Sequence, residues 1–509
     1  DLFETTRSFL HGHVQAVHTA MRRLGFESLL ASRPCRERDL VVAMVTAQIL
    51  EPDSKLATTR WWHTTTLPAT LGVADADEDD FYEALDWLAT RQEHIEKKLA
   101  ARHLENDGLV LYDLTSSYFE GKTCPLAALG HNRDGKKGKL QVNYGLLTDG
   151  NGCPVAVSVF EGNTGDPKTF LPQVEKLRQT FGIERMVLVG DRGMISQKQI
   201  NTLKDLKGVD WITALKTGAI RSLVEGGHVQ LGLFDDRNLF ELIHPDFPGE
   251  RLVACRNAEL GKLRAHKRQS LIEATVKELE KVRAMVARGT LKGKGVIGVR
   301  IGKVIDKYKV GKHVRTEIED AAFSFSLDDA NIAEEASLDG IYVIRTSLPN
   351  DRITAEDAVR SYKALSQVER AFRSMKTIDL EVRPIRHHLE TRVKAHIFLC
   401  VLAQYVVHHM IEAWRPMLFC DEDQAAKKTR DPVAKAQRSP DALHKVTSKT
   451  HDDGATVHSF HTLLKMLSTI VRNVCRPPGD ATDSHTFDVT TTPTAVQQRA
   501  YDLLEEITV

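Results

Sequence analysis

The sequence predicts a mixed α/β protein with a helical N-terminal region and a basic insertion. Hydrophobic residues make up 42% and charged residues 27% of the 509 positions, a composition that buries a sizeable core. Helical periodicity fills residues 1–105. From residue 108 the pattern changes to three apolar, β-rich runs in succession, followed by strand and helix in alternation. That order makes a mixed sheet and not an all-parallel one.

The elements follow in chain order. Residues 40–50 read as an apolar helix, and Pro52-Asp53-Ser54 as the start of the next, running through Trp61 and Trp62. An acidic loop at 75–80 precedes a helix with Phe81, Leu85 and Leu88 on one face. Strands are predicted at 108–118, 140–147 and 154–160, the last two separated by a turn at Asp149-Gly150-Asn151-Gly152. Then come a helix at 167–180, a short buried strand at 185–189, a helix at 196–206 and a strand at 210–215. The segment 217–340 interrupts this core with a long charged helix at 269–288 and β-like alternation at 296–310. A strand at 340–346 returns to the core, and long helices follow at 353–375 and 392–414. Residues 421–456 are polar and read as a linker, before a last helix at 460–474. The expected division is therefore 1–105, 106–216, 217–340, 341–415 and 416–509.

The 69 basic and 69 acidic residues cancel, so net charge selects no partner. Their distribution does more. Residues 251–316 carry 18 Lys+Arg and 5 Asp+Glu, whereas 317–340 carry 8 acidic residues and no basic ones. The block is either a phosphate-binding surface or a solvated helix and loop, and charge alone does not separate the two. Seven scattered cysteines without a Cys-x-x-Cys read as reduced thiols, and a cytoplasmic location is expected. No membrane association is expected, because the most apolar stretch, 395–414, is interrupted by His396, Gln404, His408 and His409. The chain opens on Asp1 without a signal-peptide pattern, as a chain lacking its native start would.

Isolated carboxylates in apolar strands carry the most chemical information. Asp113 lies within Leu-Val-Leu-Tyr-Asp-Leu, and Asp191 follows Met-Val-Leu-Val-Gly. A carboxylate in a buried strand is costly unless it is paired or holds a metal, although either residue alone could simply cap a turn. Glu369 supplies a third. Tyr362, Glu369 and Lys376 are spaced seven apart, and Arg373 stands four residues after Glu369, so a continuous helix would bring all four near one face. Three carboxylates suit two Mg²⁺ or Mn²⁺ ions about 3.5–4 Å apart, the arrangement of two-metal phosphoryl transfer. Arg373 and Lys376 would then meet phosphates by charge.

The segments YDLTSSYFEG around Asp113, GHNRDGKKGKLQVNYGLL through PVAVSVFEGNTGD, VLVGDRGM around Asp191 and YKALSQVERAFRSMK around Glu369 together resemble the DDE transposases of bacterial insertion sequences. Within these the resemblance is to the IS-four superfamily and its IS-sixteen-thirty-four-like group. It covers most of the chain to about residue 415. The family signature Tyr-x2-Arg-x3-Glu-x6-Lys is matched by Tyr362, Glu369 and Lys376, but Leu365 stands at the Arg position that contacts the DNA end in relatives. Arg370 or Arg373 stands near enough to substitute. The resemblance implies an RNase H-like core with a β-rich insertion between Asp191 and Glu369. It implies catalysis by Asp113, Asp191 and Glu369 holding two ions per site. It also implies cut-and-paste transposition by a homodimer acting on terminal inverted repeats and target DNA, with the N-terminal region helping to bind those ends. Tyr362, Arg373, Lys376, Arg192, His131 and Lys139 are expected on the DNA-facing surface.

Three rivals are weaker, one of them another RNase H-like nuclease such as a resolvase, which would bind branched DNA rather than specific ends. Gly121-Lys122-Thr123 looks like the end of a phosphate-binding loop, but Ser116 replaces the leading Gly. A catalytically inactive, transposase-derived DNA-binding protein is the main alternative, and the presence of all three carboxylates argues against it. The pairs His387-His388 and His408-His409 read as surface or helix-face residues.

Overall fold

The structure is a computed structural model and describes residues 3–234, 237–477 and 486–509. The chain forms two compact units. The first holds residues 1–213, 360–430 and 437–509, and the second holds 214–359 and 431–436.

The first unit opens with a strand, β1 (Glu4–Leu10), and six helices: α1 (Gly12–Arg23), α2 (Phe26–Leu30), α3 (Arg36–Leu50), α4 (Lys55–Trp61), α5 (Leu67–Leu71) and α6 (Glu78–His103). Ser54 caps α4 by accepting the Ala57 N–H, which is why the helix starts where the Pro-Asp-Ser signal predicted. Asp77 and Asp80 form a reciprocal cap on α6, and Phe81, Leu85 and Leu88 are buried as expected. Trp62 is core, set edge-to-face on Phe81 with ring centroids 5.0 Å apart.

The sheet of this unit is built from β2 (Leu109–Tyr118), β3 (Gln141–Asp149), β4 (Pro154–Glu161), β5 (Met186–Val189) and β6 (Val209–Ala214). Helix α7 (Asp166–Glu175) precedes β5, and α8 (Gln197–Lys204) joins β5 to β6. The strand order is β4-β3-β2-β5-β6, with β4, β3 and β2 antiparallel and β2, β5 and β6 parallel. A three-strand meander continued by two parallel strands is the RNase H-like order, so the fold is the mixed α/β class the sequence predicts. Gly121-Lys122-Thr123 lies in an irregular loop with no helix after it, which removes the phosphate-loop reading.

The second unit contains α9 (Thr217–Glu225), β7 (Leu239–Leu242), β8 (Arg251–Arg256), α10 (Ala258–Ala287), α11 (Lys294–Tyr308), β9 (Val314–Ile318), β10 (Phe323–Leu327), α12 (Asp329–Ser337) and β11 (Ile341–Thr346). It is the insertion, but its bounds are wider than 217–340 and its longest elements are helices of 30 and 15 residues. The stretch 296–310, expected as strand, is mostly α11. Its buried residues Ile297, Ile301 and Val304 recur at a helical period and pack on Leu279, Val282 and Val286 of α10. The acidic segment folds back on the basic block. Arg268 pairs with Asp339 at 2.5 Å, Lys312 with Glu335 at 2.7 Å and Arg315 with Asp328 at 2.9 Å. Three of the block's basic residues are thus paired inside the unit. Arg288, Lys292, Lys294, Arg300 and Lys303 stay exposed around the α10–α11 turn and α11, with no ion pair among the described residues.

The chain then runs through α13 (Ala355–Lys363), α14 (Leu365–Arg373), a π-turn (Ser374–Ile378) and α15 (Glu390–Ala413). The single helix expected over 353–375 is therefore broken at Ala364 and widened at its end. Helix α15 is long and apolar enough, by length and composition, to cross a membrane. Here it is a core helix packed on α3, α6 and β4. Residues 1–105 accordingly join the core and do not stand apart.

The C-terminal part is more structured than its composition suggested. It carries α16 (Gln424–Thr429), α17 (Pro440–Ser448), α18 (Phe460–Leu467), β12 (Val471–Arg476), β13 (Phe487–Thr490) and α19 (Ala495–Glu505). β12 pairs with β1 on one side and β13 on the other. Residues 471–474, expected as helix, are strand because they pair with β1 from the other end of the chain. Trp414 Nε1–H donates to Ala500 O at 2.8 Å, and Tyr501 O–H donates to Gly12 O at 2.9 Å.

Candidate active site

Asp113 and Asp191 share a cleft because β2 and β5 run parallel in fixed register. Val110 pairs with Leu188 and Leu111 with Val189, and each aspartate lies two residues further on. Strand alternation then puts both carboxylates on the same face. Asp191 shapes the turn that follows β5: its Oδ1 accepts the N–H of Gly193 at 2.9 Å and of Met194 at 2.8 Å. Asp113 Oδ1 accepts the Leu114 N–H at 2.8 Å.

Glu369 arrives from α14, which lies on β2. Leu365, Val368, Ala371 and Phe372 are its buried face, and the Phe372 ring sits edge-to-face on Tyr144 at 5.9 Å. Burying that stripe turns Glu369 and Arg373 outward. Leu365, at the signature's Arg position, is thus a packing residue. The cleft has a volume of about 310 Å³ and is lined by Asp113, Asp191, Glu369, Arg133, Asp166 and Arg373, with Lys376 and Thr115 at its side.

The carboxylates act on one another. Burial first, and then the charges of Asp191 and Glu369, push the Asp113 carboxyl up to about 7, against a Leu114 hydrogen bond and Arg133. Tyr362 is half-buried beside them. Burial and the charges of Asp191, Glu369 and Asp113 push its hydroxyl up to about 12, with Arg192 opposing, so it remains a protonated donor. No ion pair to Asp113, Asp191 or Glu369 occurs among the described residues. Uncompensated negative charge, offered by oxygen donors only, fits a hard divalent cation. The three groups do not converge on a single preformed point. Among the described residues, only His103, Cys153 and His409 bring three donor atoms within 4.8 Å of one another.

Lys376 departs from expectation. The π-turn carries it off the face of Glu369 and into the interior. Its Nζ pairs with Asp134 and donates to Thr115 Oγ1 at 3.1 Å. Burial lowers its pKa, while Asp134 works to raise it. Asp134 is itself buried, paired with Arg383 at 2.5 Å and accepting the Tyr118 N–H at 2.9 Å. Lys376 therefore braces the cleft floor and does not stand free for a phosphate.

Arg192 is exposed beside Asp191, and in the loop between β2 and β3 His131 is exposed near the middle and Lys139 near the end. Neither His131 nor Lys139 lines the cleft. Arg133 and Lys136, the basic residues beside His131 on this loop, reach further in. Arg133 enters the cleft and pairs with Asp166 at 2.5 Å, and Lys136 lies 5.8 Å from the Tyr118 ring in a neighbouring hollow. Asp166 was missed, although its Gly-Asp-Pro context marks a helix start.

One glycine couples the sheet to the Glu369 helix. Gly152 holds φ +85°, and a Cβ there would lie 2.5 Å from Gln367 Cβ. Gly152→Ala is expected to cost about 1–3 kcal/mol and to displace α14. Chemical denaturation checks the first effect, and an unchanged midpoint would show that the turn relaxes freely.

Seven chains among solved structures match this one. One is a piggyBac transposase in a synaptic complex with hairpin DNA, with a TM-score of 0.35 and 10% identity over 89% of this chain and 77% of that one. No curated protein matches. The family comparison spans the same elements that form the cleft, opening just ahead of β2 and closing inside α15. Over residues 107–406 the chain matches the transposase DDE domain, and it belongs to that family.

Proposed function

We propose that the protein is an active DDE transposase of the IS-four superfamily, in its IS-sixteen-thirty-four-like group, performing cut-and-paste transposition at terminal inverted repeats. The observation that carries this reading is the meeting of Asp113, Asp191 and Glu369 in one cleft beside Arg133 and Arg373. Family membership supports DNA as substrate and divalent metal as cofactor. Asp113, Asp191 and Glu369 would hold two Mg²⁺ or Mn²⁺ ions. When bound, such ions activate a water or 3′-hydroxyl and stabilise the leaving oxygen.

The chain's own residues divide the remaining work. Arg373, exposed on the cleft side of α14, and Arg192, exposed beside Asp191, bind DNA phosphates. Tyr362 stays protonated near the carboxylates and donates a hydrogen bond toward the bound strand. His131 and Lys139, on the loop that brings Arg133 into the cleft, extend the phosphate-binding surface, and the exposed lysines and arginines of 288–303 offer the second unit a phosphate-binding surface of its own. We assign the synaptic form as a homodimer and the compartment as the cytoplasm, where seven free thiols persist. The test is joining. A donor bearing the sequences that flank this gene, incubated with a target plasmid and Mg²⁺, gives covalently joined products. Binding without joining would favour the inactive, DNA-binding alternative.

Asp113 also fixes a pH dependence. Its folded pKa of about 7 lies above the ordinary 3.8. The stability of its protonated form is complete below about pH 4 and is lost as pH rises through about 7. A divalent cation compensates the ionised form, so Mg²⁺ is expected to raise Tm more at pH 8 than at pH 5. Calorimetric scans check this, and equal shifts at both pH values would contradict it.

A further inference from the structure

We propose that His103, Cys153 and His409 form a second metal site, taking Zn²⁺ on two imidazoles and one thiolate with a fourth position for water. One donor atom from each lies within 4.8 Å of the others. Cys153 Sγ and His409 Nε2 are 3.6 Å apart, and the His103 and His409 rings are centred 5.6 Å apart. Tetrahedral Zn²⁺ with bonds of about 2.0 Å to nitrogen and 2.3 Å to sulfur sets such a pair of ligand atoms about 3.5 Å apart. The Cys153–His409 pair already has that spacing. The donor set of nitrogen and sulfur selects Zn²⁺ over the hard ions suited to the carboxylate cleft.

The three ligands come from three elements that the first unit packs together. His103 ends α6, Cys153 closes the β3–β4 turn and His409 lies in the last turns of α15. Cys153 is buried, and both histidines are half-buried, which leaves a side open for entry and for water. His103 Nε2 is bonded to Tyr405 Oη at 3.1 Å, a contact that orients its ring. Binding requires both imidazoles neutral and the thiol ionised. Binding displaces the Cys153 proton to solvent.

The site is separate from the cleft. Asp113 faces Leu146 across β3, whereas Asp149 at the turn faces Val110, three rungs away and about 10 Å along the strand. It would clamp the turn whose Gly152 abuts Gln367, two residues before Glu369. The same contacts without metal would be a Cys–His hydrogen bond and ring packing against Tyr405.

Cobalt separates the two cases, because only a sulfur ligand gives a thiolate-to-Co²⁺ charge-transfer band. The full chain, stripped with chelator and held in excess Mg²⁺, is titrated with Co²⁺ and then with Zn²⁺. The expected result is a band complete at one equivalent, displaced by Zn²⁺ and lost in Cys153→Ser. His409→Gln and His103→Gln should weaken Zn²⁺ binding at least tenfold, since even residues behind a ligand cost about 10–100-fold. Glu369→Gln should leave it unchanged, which keeps this result independent of the transposase reading. If Cys153→Ser does not fold, the histidine variants carry the test. No band in the native chain, or unchanged Zn²⁺ affinity in both histidine variants, overturns the proposal.

Discussion

Asp113→Asn, Asp191→Asn and Glu369→Gln are each expected to lower metal-dependent strand cleavage by about 10³-fold or more while leaving DNA binding in place. The magnitude is that of removing a group on which the transition state depends. Binding should survive because the phosphate contacts assigned to Arg373 and Arg192 lie outside the carboxylates. The variants should differ in stability in a defined direction. Without metal, Asp113 is destabilised at neutral pH by burial and by Asp191 and Glu369. Removing any one of these charges is therefore expected to raise Tm in chelator at pH 8. Loss of cleavage with a gain in apo-stability is the signature of charges kept for function. A variant that cleaves at the native rate would remove that residue from the site.

Asp134→Ala is expected to cost about 3–5 kcal/mol, the scale for leaving buried charges without their partner. Asp134 is the shared anion of Lys376 and Arg383, and all three are largely buried. Its loss strands two cations beneath the cleft and frees Lys376 from the position that holds Thr115. Cleavage should fall with stability. Lys376→Met, which removes one cation and leaves the Arg383 pair, should cost less than Asp134→Ala. Equilibrium denaturation of the two variants ranks them, and the reverse order would show that Lys376 and not Asp134 organises the floor.

These expectations also mark what could be seen in the sequence. Asp113 and Asp191 were legible because a lone carboxylate in an apolar strand is conspicuous, and parallel pairing of the two strands does the rest. Glu369 was legible from spacing, and the β2–β6 order from periodicity. Lys376 was misplaced because nothing in Glu369–Ile378 announces the π-turn: no Gly or Pro marks it. Asp134 and Asp166 escaped notice because loop residues gain meaning only from distant partners. Helix α11 was read as strand on the β-like alternation over 296–310, although Ile297, Ile301 and Val304 already stood at helical spacing. The pairing of β1 with β12 joins opposite ends of the chain, and no local pattern encodes it.

The central claim is that Asp113, Asp191 and Glu369 together make a metal-dependent DNA-cleaving site. Its most direct test is cleavage, in Mg²⁺ and in chelator, of DNA carrying the sequences that flank this gene, by the native chain and Glu369→Gln side by side. Cuts at defined ends that need Mg²⁺ and disappear in the variant are the predicted result. Cuts that persist in Glu369→Gln, or a native chain that binds these ends and never cuts them, would contradict it.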